Sequence, residues 1–355
     1  MSETLMSPKH PYKEQPDKAF WKKTVSDQYP MDIKGWYSKK FPIANNLIAT
    51  AGSCFAQHIG NQLKDQGFNF LDTEPAPMFL DQASHLDFGY SMYSARYGNV
   101  YSSRQLLQLF QRAFGEFVPE ENVWTKEGGY VDPFRPTIEP TPFVSIEELT
   151  AHRDYHLQCV RKLFQEAQVF VFTLGLTEAW VSKQDGSVYP IAPGVSGGVY
   201  DPDKYQLVNL SYEDVVEDMS TFFKRVRRIN KKMRFILTVS PVPLMATATD
   251  EQVVVASMYS KSVLRAAAGF LKDQYRFVDY FPSYEIISSH VMRGQFYNPD
   301  MRTVSSYGVD HVMKQFFKEH QQKPKNIGVN KAKQADTRDE DDVRCDEELL
   351  AVFGD

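Results

Sequence analysis

The chain has 355 residues, 42% hydrophobic and 24% charged, with a net charge of −5. That suits one large soluble α/β domain with extensions and excludes a basic nucleic-acid binder. Three cysteines (Cys54, Cys159, Cys345) give neither a disulfide framework nor metal spacing, so a reducing, cytoplasmic location is expected. The start, MSETLMSPKHPYKEQPDK, lacks the apolar core of a signal peptide, and no apolar run approaches a membrane span.

In chain order, residues 1–40 read as an irregular arm, rich in Pro, Lys and aromatics. Residues 41–321 read as the α/β domain and 322–355 as a charged, disordered tail. Within that tail, Cys345–Phe353 reads as a short amphipathic helix able to contact a partner. The run from Leu47 to Ala51 ends at Gly52 like a buried strand, and Phe55–Leu63 has helical spacing. Ser53 and Cys54 therefore sit at a strand-to-helix turn. A second strand is predicted near Phe68–Leu71, a loop over Ser84–Asn99, and a helix over Ser103–Phe114. Residues 115–145 show no repeated pattern. A helix with a capping-box start runs over Ser145–Ala167, and Val169–Leu174 is a continuous β-branched and apolar strand ending at Gly175. A long loop over 183–204 precedes a helix at Ser211–Ile229, a strand at Phe235–Val239, a helix at Gln252–Leu271 and a strand at Arg276–Tyr280. Residues 282–305 read mostly as loop and Ser306–His320 as the closing helix. The cluster Lys224–Arg228 with Lys231 and Lys232 reads as a solvated helix face.

Strands alternating with long helices predict a three-layer αβα fold with a doubly wound, mostly parallel sheet of the flavodoxin-like kind. Ligands of such sheets bind beyond the carboxyl ends of the strands. Ser53, Thr177 with Glu178, and the 282–305 loop all fall there.

A serine at a helix N-terminus gains from the dipole and the free N–H groups, which can hold an oxyanion. It equally serves as a plain N-cap, the commoner role for an arbitrary Gly-Ser turn. The string Gly52-Ser53-Cys54-Phe55-Ala56 is, however, the signature of the GSCFA family. The chain resembles that family again at Thr173-Leu-Gly-Leu-Thr-Glu-Ala-Trp180, Thr238-Val-Ser-Pro-Val-Pro-Leu244 and Tyr280-Phe-Pro-Ser-Tyr-Glu-Ile286, in order, over roughly 45–315. The family is similar to the SGNH (GDSL-type) hydrolases, esterases and O-acyltransferases that often act on carbohydrate-linked acyl groups.

By that resemblance Ser53 is the nucleophile and its N–H an oxyanion donor. Gly98, with Asn99 beside it, stands for the second block's glycine. Gly175-Leu-Thr-Glu178 stands for the third block, with Thr177 at the Asn position. Read without the resemblance, Gly98-Asn99 is turn chemistry and Thr177-Glu178 a helix N-cap. The fourth block, Asp-x-x-His, places the acid at Asp300, but Thr303 occupies the histidine position, and threonine is no base at neutral pH. His290 and His311 are the nearest substitutes. His311 lies two turns beyond Thr303, about 12 Å by helix rise, and His58 is a third option. The base is oriented by Asp300 or Glu178. Cys54 is expected to point into the core, Glu285 to fix a loop through an ion pair, and His152 with His156 to lie on a helix surface.

The implied function is an SGNH-like serine esterase or acyltransferase on a small-molecule or glycan ester. It needs no metal or cofactor, only an acyl donor such as an acyl-CoA in the transferase case. The alternative is an inactive binding protein for a glycan or similar ligand on the same fold. A scaffold working through residues 340–355 is a third reading. No nucleic-acid partner is expected, and the oligomeric state is open.

Overall fold

The computed structural model describes residues 10–320, 343 and 345–354. Its centre is a parallel sheet of β1 (Ile48–Gly52), β4 (Val169–Leu174), β8 (Arg234–Val239) and β9 (Val278–Tyr280), in the order β1-β4-β8-β9. The segment predicted as a strand near Phe68–Leu71 pairs with the outer edge of β1 through a single bridge, Ile48 to Phe70.

Alternate strand residues feed two separate cores, as the period-2 geometry of a strand requires. Phe170, Phe172, Phe235 and Leu237 point to one face. There they meet α2 (Ser103–Ala113), α3 (Ile146–Glu166), α4 (Tyr212–Ile229) and α5 (Val253–Gln274). Val169, Val171 and Ile236 point to the other face, onto α1 (Phe55–Asp65), α6 (Ser283–Ser288) and α7 (Ser306–Glu319). The result is a three-layer α/β/α sandwich. Ser145 caps α3 by accepting from the Glu148 N–H, as its capping-box start predicts, and Ser211 caps α4 in the same way by accepting from the Asp214 N–H.

Short antiparallel elements are where the sequence reading falls short. Residues 115–145 contain a hairpin, β2 (Trp124–Lys126) and β3 (Gly129–Val131), turned by Glu127 and Gly128, both at positive φ. After β4 the chain does not enter a helix at Thr177–Glu178. It forms β5 (Glu178–Ser182), the middle strand of a second sheet with β6 (Val188–Tyr189) and β7 (Tyr205–Asn209). These strands lack clean alternation, so their pairing partners, not their patterning, define them. Within 282–305, α6 is a short helix where a loop was expected.

The N-terminal arm is irregular, as its composition implies, but it is tied down. The Tyr37 hydroxyl donates to Asp279 at 2.8 Å, and Trp21 stacks on His290. The C-terminal piece Asp346–Phe353 is a 3₁₀ helix docked on the chain's own domain, at the carboxyl edge of the sheet. The rest of the predicted tail falls largely outside the described residues. Among the described residues no helix is long and apolar enough to cross a membrane.

Candidate active site at the carboxyl edge of the sheet

Gly52 makes the turn possible. Its φ is 142°, and a Cβ there would lie 2.4 Å from the Thr173 carbonyl oxygen, a contact no side chain tolerates. Gly175, at the end of the neighbouring strand, lets the two chains close up. A Cβ on it would sit 3.0 Å from Ser53 Cβ and 3.1 Å from the Tyr101 carbonyl oxygen. Between these glycines Ser53 is buried, and its Oγ has no hydrogen-bond partner among the described residues. An unpartnered buried hydroxyl is costly to keep. It is not acting as an N-cap for α1, which has no side-chain cap.

Ser53 lines a small cavity together with Cys54, Tyr101, Gly175, Lys261 and Glu347. Lys261, on α5, is buried and donates its Nζ to the Gly175 carbonyl at 2.5 Å. Burial pushes its ammonium down to about 8, with Glu347 and Cys54 pulling upward and Arg302 downward. No histidine lines this cavity.

The oxyanion side differs from expectation. The Ser53 N–H is spent on the Thr173 carbonyl at 3.1 Å, continuing the strand pairing, and the Gly175 N–H goes to the Tyr101 carbonyl at 2.8 Å. The next donors in line are the N–H groups of Cys54 and Phe55 at the open end of α1. Neither has an acceptor among the described hydrogen bonds.

The other expected residues divide clearly. Asn99 comes close to Ser53. Its Oδ1 accepts from the Tyr93 hydroxyl at 2.5 Å, that hydroxyl lies 3.2 Å from the Ser53 carbonyl, and its Nδ2 donates to Asp346 at 3.0 Å. Gly98 supplies the positive φ of 67° that turns the chain there. Thr177 is buried and structural: its N–H meets Ser260 Oγ and its hydroxyl meets Asn209. Glu178 accepts from the Thr247 hydroxyl and the Ala248 N–H on the rim of the larger pocket.

His290 is exposed against Trp21, and His311 is stacked on Phe296 with its Nε2 unpartnered among the described residues. His58 packs on Phe55 and is pushed down to about 4 by burial. Asp300 folds back on its own loop, accepting from the N–H groups of Arg302 and Thr303 and from the Thr303 hydroxyl. It orients no imidazole. Instead it fixes the turn that sends Arg302 toward Cys345 and Glu347.

Cys54 is buried in the core as expected and also lines the serine cavity; a hydrogen bond to Cys345 and burial push its thiol well up. Glu285 pairs with Arg265 and accepts from the Tyr280 hydroxyl. His156 is not a surface residue: it is buried and meets Glu74 at 2.7 Å, while His152 stays partly exposed and meets Arg96 and Arg135. Burial pushes His156 down to about 4, so it donates from Nδ1 as a neutral ring. This buried network stands behind the Gly98-Asn99 turn.

Beyond the serine lies a pocket of about 480 Å³, sharing Tyr101, Leu176, Leu244 and Glu347 with the serine cavity. Its other walls are largely apolar, including Trp180, Ile191 and Leu207 from the second sheet and its loop. Pockets of this size and character hold small ligands. Lys261, Arg302, Tyr93 and Tyr101 were not singled out in the sequence. Lys261 had one available signal, a lone lysine on the apolar stretch of α5.

Fold and site together define a doubly wound α/β protein whose first strand delivers a buried, unpaired serine to the start of a helix. The GSCFA family profile matches residues 47–316, and the chain belongs to that family. No curated protein matches it.

Proposed function

We propose that this chain is an SGNH-like serine esterase or O-acyltransferase working through a Ser53 acyl-enzyme. The observation that carries the reading is the buried Ser53 hydroxyl, left unpaired at the mouth of α1, in a cavity it shares with Lys261. Neutral Lys261 accepts the serine proton as Oγ attacks the ester carbonyl. The Cys54 and Phe55 N–H groups and the α1 dipole face the oxyanion as it develops. Lys261 then returns the proton to the departing alcohol, and water or a sugar hydroxyl resolves the acyl-enzyme. The apolar pocket suits the acyl group. A transferase would draw on an acyl donor such as an acyl-CoA.

One observation favours the second reading, a non-catalytic binder of a glycan or similar ligand: Thr303 stands at the expected histidine and no imidazole lines the cavity. Labelling with excess fluorophosphonate separates the two. The enzyme reading expects label on the wild type, none on Ser53→Ala, little on Lys261→Met, and normal label on His290→Ala and His311→Ala. Label that survives Ser53→Ala sinks it. So does absence of label even when the C-terminal segment is displaced as described next.

A further inference from the structure

The described C-terminal segment lies in the mouth of the Ser53 site. Asp346 is buried, with one carboxylate oxygen on Asn99 Nδ2 at 3.0 Å and the other on the Thr137 hydroxyl at 2.6 Å. Glu347 follows, 3.2 Å from Arg302 Nη2, with its backbone N–H on the Tyr101 hydroxyl at 3.3 Å. Cys345 lies 3.7 Å from Arg302 and 3.9 Å from the Tyr101 hydroxyl, and its sulfur meets the Cys54 thiol. Leu350 and Phe353 reach the apolar pocket.

Each partner belongs to a different part of the domain: the Gly98-Asn99 turn, the loop after β3, the loop before α7, and Cys54 itself. We infer that Asn99, Thr137 and Arg302 form a carboxylate-binding edge of the Ser53 site, and that Cys345–Phe353 fills it as a tethered, competing ligand. Two acidic side chains satisfy the polar edge while two apolar ones add to the wall of the apolar pocket, so the segment matches the site in both chemistries. An unrelated surface contact has no reason to place a carboxylate between a buried amide and a half-buried hydroxyl. Occupancy also acts on the chemistry. Glu347 lines the serine cavity beside Lys261, and a carboxylate there favours the protonated amine, which is no base. The segment both blocks and quenches. A ligand carrying carboxylates of its own would compete for the same edge.

The placement of the segment stands without the acyl chemistry. Its inhibitory consequence rests on the serine reading, so the experiment has two readouts. A fluorescein-labelled peptide of residues 343–355 is titrated by anisotropy into full-length wild type and full-length Asp346→Lys/Glu347→Lys, each checked for folding by circular dichroism. The variant, its own segment displaced, is expected to bind the peptide at least tenfold more tightly than wild type, and excess peptide to slow its fluorophosphonate labelling to the wild-type rate. Full-length Thr137→Val, which removes one carboxylate partner without reversing charge, is expected to label faster than wild type. Equal binding to wild type and variant, or binding to neither, overturns the proposal. The expected binding difference with no labelling of either chain leaves the segment in place and removes the serine reading instead.

Discussion

Lys261 as base makes a quantitative demand on pH. Only the neutral amine accepts a proton, and the amine is neutral above its pKa, so activity must rise with pH and level off. Burial holds Lys261 at about 8, and the charged and titratable groups facing it are Glu347, Cys54, Arg302 and Cys345. With that midpoint the neutral fraction is about 1% at pH 6 and about 50% at pH 8, following the one-proton titration relation. The Ser53 labelling rate should therefore climb about 50-fold between those pH values and flatten above about 9. Removing the amine in Lys261→Met should cost about 10²–10⁴-fold in rate, the usual worth of a general base. Lys261→Arg should be equally slow, because a guanidinium stays charged throughout; a purely electrostatic role would survive that change. The assay is stopped-time fluorophosphonate labelling from pH 5.5 to 10, with Cys54→Ala as a control for thiol reaction. A midpoint near 6.5, the imidazole value, or a Lys261→Met rate within about twofold of wild type would refute the assignment.

Two further outcomes test the geometry around the serine. Gly52→Ala sets a Cβ 2.4 Å from the Thr173 carbonyl at a φ of 142°, so strain and overpacking together should cost about 3–5 kcal/mol. A lower denaturant midpoint at unchanged slope is the expected reading, and a loss under about 1 kcal/mol would mean that β1 and β4 are not this close. Leu207→Trp fills part of the apolar pocket. Across a p-nitrophenyl ester series it should lower kcat/KM for long acyl chains by about 10–200-fold, the worth of lost methylene contacts, and leave the acetate ester near wild type. Uniform loss across the series would move the acyl group out of this pocket.

The layered fold was legible in the chain because its signals are local. Val169–Leu174 reads as a buried parallel strand from six consecutive residues, Ser145 announces its helix by capping, and Ser211–Ile229 does so by its amphipathic spacing. Gly52-Ser53 at a strand-to-helix turn was legible for the same reason, since a tight turn needs glycine wherever it occurs. The second sheet was not legible: Glu178–Ser182 becomes a strand only because Tyr205–Asn209 lies beside it. Asn99 near Ser53 was expected from resemblance, yet its working contacts run to Tyr93 and Asp346, 6 and 247 residues away in sequence. Lys261 beside Gly175 and Arg302 beside Glu347 are likewise long-range meetings. A sequence lists which titratable groups exist and which elements carry them. Which amine is buried next to which hydroxyl, and whose carboxylate fills the site, follows from how the layers pack, because burial and proximity are properties of the assembled fold.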